Sequence, residues 1–153
     1  MARTKRVDES KMIHLYTDGS YHASTDCGGY AAISNHGHVV LGGEKSTTNN
    51  KMEITAVAEG LSVIDQGSSV LVMSDSQYVV NAFEKKWLKS WEKNGWKTSA
   101  GAPVKNQDEW KRLQEEVSKH KKVHFKWVKG HNGDVGNTAA DELANIGSIS
   151  VSK

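Results

Sequence analysis

At 153 residues with a single cysteine, the chain is long enough for one self-supporting domain and cannot close an intrachain disulfide, so neither disulfides nor a structural metal are needed for folding. No run of about 18 apolar residues occurs, and the opening MARTKRVDES is charged with no apolar stretch behind it; this argues against a spanning helix or a secretory leader, and a cytoplasmic protein is expected. The net charge of +2 averages two unlike halves, since residues 12–83 carry two lysines against seven acids and residues 84–131 carry thirteen Lys plus Arg against six acids. Such a division predicts one surface for cations and another for polyanions.

In chain order, MIHLYT reads as a first strand, GGYAAIS as a second, NHG as a turn and HVVLGGEK as a third, together an antiparallel meander. TTNN then opens a helix expected over 50–66, with Ala56, Val57, Gly60, Leu61 and Ile64 on one stripe. SVLVMS is a nearly continuous apolar fourth strand. Helical periodicity resumes in SQYVVNAF, continues through EKKWLKSWEKNGW and returns in NQDEWKRLQEEVSKH after the loop TSAGAP, which holds the only proline, Pro103. KVHFKWV alternates as a fifth strand, and the glycine-rich KGHNGDVGN leads into a last helix, TAADELANIG. The order β-β-β-α-β-α-α-β-α predicts an α/β fold: a five-stranded mixed sheet, three strands antiparallel and then two parallel, with helices on both faces. No repeat or linker interrupts it. The expected organisation is a short basic extension (1–11), one domain (12–147) and a C-terminal tail (148–153).

Four acids sit where acids are costly. Asp18 and Gly19 follow the first strand, where Asp-Gly alone would read as a hairpin turn. Glu53 shares the apolar stripe of its helix, unless it closes a capping box with Asn50. Asp75 ends the fourth strand, where it could equally be an N-cap, and Asp141 lies mid-helix between Ala140 and Ala144, where it could be an ordinary exposed acid. If strands one and four are parallel neighbours, Asp18 and Asp75 emerge together at the carboxyl ends where open α/β sheets bind ligands, and Glu53 and Asp141 can complete the cluster. Four clustered carboxylates repel one another unless hard divalent cations neutralise them, and oxygen-only ligands favour magnesium or manganese over zinc. His36 and His38 have the spacing of a metal pair, but NHGH is better read as a hairpin turn.

The stretches YTDGS, TTNNKMEITAV, SDSQYVVNAF, WLKSWEKNGWKT, PVKNQDEWKRL and WVKGHNGDVGNTAADELA come in one order over 13–146, and in this the chain resembles the type 1 ribonuclease H family. The resemblance implies the ribonuclease H-like fold and an endonuclease that cuts the RNA strand of RNA/DNA hybrids. It places four metal-binding carboxylates on Asp18, Glu53, Asp75 and Asp141 and a mobile-loop histidine on His131. It further implies two magnesium ions, with manganese as a substitute: one would activate the attacking water and the other stabilise the leaving 3′ oxygen, giving 5′-phosphate and 3′-hydroxyl products. Near-neutral titration of His131 suits proton transfer to the leaving group or help in product release.

For the substrate, the resemblance assigns Asn49, Asn50 and Gln77 to the minor groove of the hybrid and Thr48 and Asn106 to a DNA phosphate pocket, with Gly19 allowing close approach of the substrate backbone. Residues 84–105 hold six lysines and three tryptophans, so Lys93 and Lys97 are expected on phosphates and Trp87, Trp91 and Trp96 on sugars, unless the tryptophans form a satellite core. Where many members have a glycine- and proline-containing turn after the first motif, this chain has YHASTDCGG, which leaves residues 21–26 without an assigned contact. The stretch before Lys11 is too short for the extra hybrid-binding domain of some members, and a monomer with no membrane partner is expected. The competing readings are a non-catalytic hybrid-binding module, which would gain nothing from repelling acids, and a DNA nuclease or transposase of the same fold.

Overall fold

Five extended runs pair into one sheet in the computed structural model, which describes residues 9–129 and 135–152. A 3-10 turn, Glu9–Lys11, leads into β1 (Ile13–His22), β2 (Cys27–Ser34), β3 (Val39–Lys45), α1 (Asn49–Ser62), β4 (Ser69–Ser74), α2 (Gln77–Glu84), α3 (Trp87–Lys93), α4 (Gln107–Ser118), β5 (Lys122–Trp127) and α5 (Val135–Ser152). The strand order is β3-β2-β1-β4-β5. Strands β1, β2 and β3 are antiparallel, and β4 runs parallel to both β1 and β5, which is the expected α/β architecture.

β1 is longer than its sequence pattern suggests. The apolar run predicts an end at Thr17, yet the strand continues to His22 because β2 pairs with it throughout, from Leu15↔Ser34 through Asp18↔Ala31 and Gly19↔Tyr30 to His22↔Cys27. The chain reverses instead at residues 23–26, so Asp18-Gly19 is strand rather than turn. Parallel pairing with β4 ends at Thr17↔Ser74. Asp18 thus sits where β1 loses its parallel neighbour but keeps its antiparallel one.

One face of the sheet carries the main core. Helices α1 and α4 bring Ile54, Val57, Leu61, Trp110 and Leu113 against Leu15, Ala32, Val70 and Val72, all essentially inaccessible to solvent. Each buried Val, Leu or Ile among them contributes about 1.5–3 kcal/mol relative to exposure. The indole Nε1 of Trp110 donates to the Tyr78 hydroxyl at 3.2 Å, so this large ring is buried without leaving a polar group unpaired. α1 begins one residue before the expected start and ends at Ser62, short of Gln66, with Val63 as its C-cap.

The helical stretch after β4 is broken where Lys86 takes a left-handed φ of 57°, which ends α2 and redirects the chain into α3. On the opposite face lie α5 and a smaller cluster of Met12, Leu71 and Met73. α5 runs past Gly147 to Ser152, and the Ser148 hydroxyl donates to the Cys27 carbonyl at 3.2 Å. Backbone meets backbone here: a Cβ at Gly29 of β2 would strike the Ala144 carbonyl and lie 2.5 Å from the Ser148 nitrogen. Gly29→Ala is therefore expected to lift α5 and destabilise the fold by about 1–3 kcal/mol, read as a lower midpoint in urea with an unchanged slope.

Candidate metal centre and nucleic-acid interface

Four separate elements deliver the four acids to one open cleft. Asp18 comes from mid-β1, Glu53 from the second turn of α1, Asp75 from the residue after β4 and Asp141 from α5; all four line the cleft with Gly19, Ser20, Tyr21, Asn49 and Ser76. Oxygen atoms of Asp18, Glu53 and Asp75 lie within 4.8 Å of one another. Asp18 and Glu53 are buried, whereas Asp75 and Asp141 are partly exposed.

Local structure decides the capping alternatives at Glu53 and Asp75. Thr48 is the N-cap of α1, its Oγ1 accepting from the Lys51 amide at 3.1 Å, so Asn50 and Glu53 form no capping box. Glu53 accepts instead from the Gly19 amide across the helix–strand contact. Ser76 caps α2 by accepting from the Val79 amide at 3.2 Å, which leaves the Asp75 carboxylate out of the helix start. The Asp75 carbonyl accepts from Trp127 Nε1 at 3.1 Å, joining the β4 end to β5. At Gly19 the backbone of α1 approaches closely: a Cβ there would lie 2.5 Å from the Glu53 nitrogen and 2.6 Å from the Met52 carbonyl carbon.

This crowding shows in the protonation equilibria. Burial first, and then the charge of Asp75 and the proximity of Asp141, push the Asp18 carboxyl from 3.8 up to about 8. Burial followed by the charges of Asp18 and Asp75 holds Glu53 well above the carboxylate range, while the Gly19 hydrogen bond pulls the other way. With oxygen-only donors, two of them buried and destabilised by like charge, the site suits a hard divalent cation that would restore their ionised forms.

Around the acids, Thr48, Asn49, Asn50 and Gln77 are all exposed, and Asn49 reaches the cleft. Asn106 precedes α4 in a left-handed conformation (φ 61°), and Lys51 of α1 pairs with Glu44 of β3 at 2.5 Å and with Glu109 of α4 at 3.5 Å. The tryptophans pack as a satellite of the core: Trp91 lies 6.2 Å from both Trp87 and Trp96 and 5.8 Å from Trp110 between ring centroids, and all three are partly buried. Lys85, Lys86, Lys89, Lys93, Lys97 and Lys105 are all exposed and, among the described residues, none takes part in an ion pair. His131 lies outside the described residues. His36 and His38 belong to the β2–β3 turn, where Ser34 Oγ accepts from both of their amides at 3.1 Å.

Ser20, Tyr21 and Ser76 line the cleft without standing out in the sequence. The signal for Ser20 and Tyr21 is the length of β1, which a strand assignment ending at Thr17 hides.

A family model described as RNase H matches residues 10–149. The chain is 44% identical over 146 residues to a ribonuclease HI of Neisseria meningitidis serogroup A, covering 94% of this chain and 99% of that protein. It is 45% identical over 141 residues to a ribonuclease H of Idiomarina loihiensis, covering 90% of this chain and 88% of the relative. With a ribonuclease H of Pseudomonas putida the identity is 43% over 141 residues, covering 90% and 94%. Matched over nearly its whole length, with the sheet order and acidic cleft described above, the chain belongs to the RNase H family.

Proposed function

We propose that this protein hydrolyses the RNA strand of RNA/DNA hybrids, as a cytoplasmic monomer that uses two divalent cations and leaves 5′-phosphate and 3′-hydroxyl ends. The observation that carries this reading is the convergence of Asp18, Glu53 and Asp75 within 4.8 Å in a cleft that Asp141 also lines. Asp18, Glu53, Asp75 and Asp141 would hold the ions. When bound, magnesium or manganese supplies a deprotonated water nucleophile and charge compensation at the scissile phosphate.

The chain's own side chains do the rest. Asn49, Asn50 and Gln77 offer short donors and acceptors to the minor groove, and the backbone at Gly19 borders the position of the scissile phosphate. Thr48 and Asn106 take a phosphate of the DNA strand at the adjoining starts of α1 and α4. The exposed edges of Trp87, Trp91 and Trp96 receive sugars, while Lys93 and Lys97 grip phosphates. His131 passes a proton to the leaving 3′ oxygen. Matched RNA/DNA, RNA/RNA and DNA/DNA duplexes incubated with and without magnesium test the assignment, and only the hybrid with magnesium should be cut.

Asp18→Asn and Asp75→Asn should each abolish cleavage while hybrid binding persists. Asp18→Asn should also stabilise the protein in chelator. An unfolded aspartate ionises near 3.8 whereas Asp18 in the fold keeps its proton to about 8, so the parent loses stability as pH rises between those values. The variant escapes that loss. Its advantage at pH 8 should reach about 1 kcal/mol or more, the free energy of a pKa unit, and shrink towards pH 4, as thermal melts in EDTA would show.

Replacing Lys85, Lys86, Lys89 and Lys93 together by alanine should raise KM far more than it lowers kcat. In a salt titration, each phosphate that the variant no longer neutralises should flatten the slope of log affinity against log salt by roughly 0.7–0.9.

A further inference from the structure

The β1–β2 hairpin places at the cleft a tyrosine whose single hydroxyl proton is already committed. Strand periodicity puts Tyr21 on the same face of β1 as Gly19, about 7 Å further along and beyond the contact with α1. Its pairing partner across the ladder is Gly28, which places no side chain beside the ring on that face. Tyr21 is half-buried and lines the cleft together with Asn49 and the four acids.

Its hydroxyl donates to Asp26 Oδ1 at 2.6 Å. Asp26 is itself held in place: it adopts a left-handed φ of 50° at the end of the hairpin loop, and its carbonyl accepts from the Ser46 amide at 2.7 Å. That bond ties the loop to the segment entering α1 at Thr48 and Asn49. The Asp26 carboxylate also raises the phenol above its ordinary range, so the proton stays on Tyr21 throughout the working pH.

A phenol has one proton, and a phenol that donates it to a carboxylate offers only lone pairs to a ligand. Bases in the minor groove mostly present acceptors at their edges, with the guanine amino group as the exception. The group on a hybrid that recurs at every RNA nucleotide, donates a hydrogen bond and is absent from DNA is the ribose 2′-hydroxyl. Resting on the hybrid-nuclease reading above, we propose that Tyr21, locked by Asp26, accepts a hydrogen bond from a 2′-hydroxyl of the RNA strand and so contributes to telling RNA from DNA at the cleft. Asp26 is the positioning residue that makes the hydroxyl an acceptor.

The test is a set of hybrids each carrying one 2′-deoxy substitution in the RNA strand, with affinity measured in calcium and cleavage in magnesium. For the parent, one position near the cut should weaken binding by about 3- to 10-fold, the effect of a single hydrogen bond. Tyr21→Phe should weaken the all-ribose hybrid by a similar factor and show no further loss with the hybrid deoxy at that position. Asp26→Ala keeps the ring but frees the phenolic proton, and should blunt the same 2′ sensitivity; Asp26→Asn, which retains an acceptor, should restore most of it. If Tyr21→Phe keeps the parent's full sensitivity at every position, or binds the all-ribose hybrid as tightly as the parent, the proposal is overturned while the nuclease reading stands. A parent that neither binds nor cuts the hybrid overturns both.

Discussion

Helix α1 presses its backbone against Gly19 of β1, and the geometry of the cleft follows from that contact. Without a side chain at residue 19, the second turn of the helix reaches the strand, the Gly19 amide meets the Glu53 carboxylate, and two acids distant in sequence become buried neighbours. The remaining two arrive from the other directions available. Asp75 leaves the parallel strand on one side of β1, and Asp141 stands on α5, the helix that crosses the opposite face of the sheet. The α1 layer thus contributes one acid, the sheet two and the α5 layer one, and the electrostatic cost of bringing them together is borne by a core built mostly on the α1 and α4 side.

Much of this is legible in the sequence because a carboxylate on an apolar stripe, or at the end of an apolar strand, conflicts with burial unless it has a purpose. Glu53 and Asp75 stand out by that conflict. What the pattern does not contain is which of two nearby good capping residues caps each helix: Thr48 takes the place of Asn50 and Ser76 that of Asp75. The length of β1 is hidden for a similar reason. Asp18, Gly19 and Ser20 have weak strand propensity, and only pairing with β2 keeps them extended. The residues that a shorter strand conceals, Ser20 and Tyr21, are the ones that border the acids.

The tryptophans show a different limit. Interleaved lysine and tryptophan suggest a surface that tracks nucleic acid, yet Trp87 and Trp91 are four residues apart on one helix and share a face, which turns them towards each other, with Trp91 also against Trp110. The lysines of the same segment point into solvent. Composition identifies the segment, and helical spacing sorts its residues into those that support it and those that meet the surroundings.

That sorting bears on how the protein can change over evolutionary time. Residues 85–105 leave the sheet and come back upon themselves: the Trp96 amide donates to the Trp91 carbonyl at 2.6 Å, the Val104 amide to the Trp96 carbonyl at 3.0 Å, and Lys97 bridges to Pro103. The segment is anchored to the body through Leu88, Trp91 and Val104, while its lysines are exposed. Lysines can therefore be gained or lost one at a time without disturbing the core, whereas the tryptophans can change only in concert. On the role proposed above for this segment, attraction for a polyanion and the chemistry performed on it are heritable as nearly independent traits, so a lineage can adjust how strongly the substrate is held to the salt and competing nucleic acid around it while the cleft stays as it is.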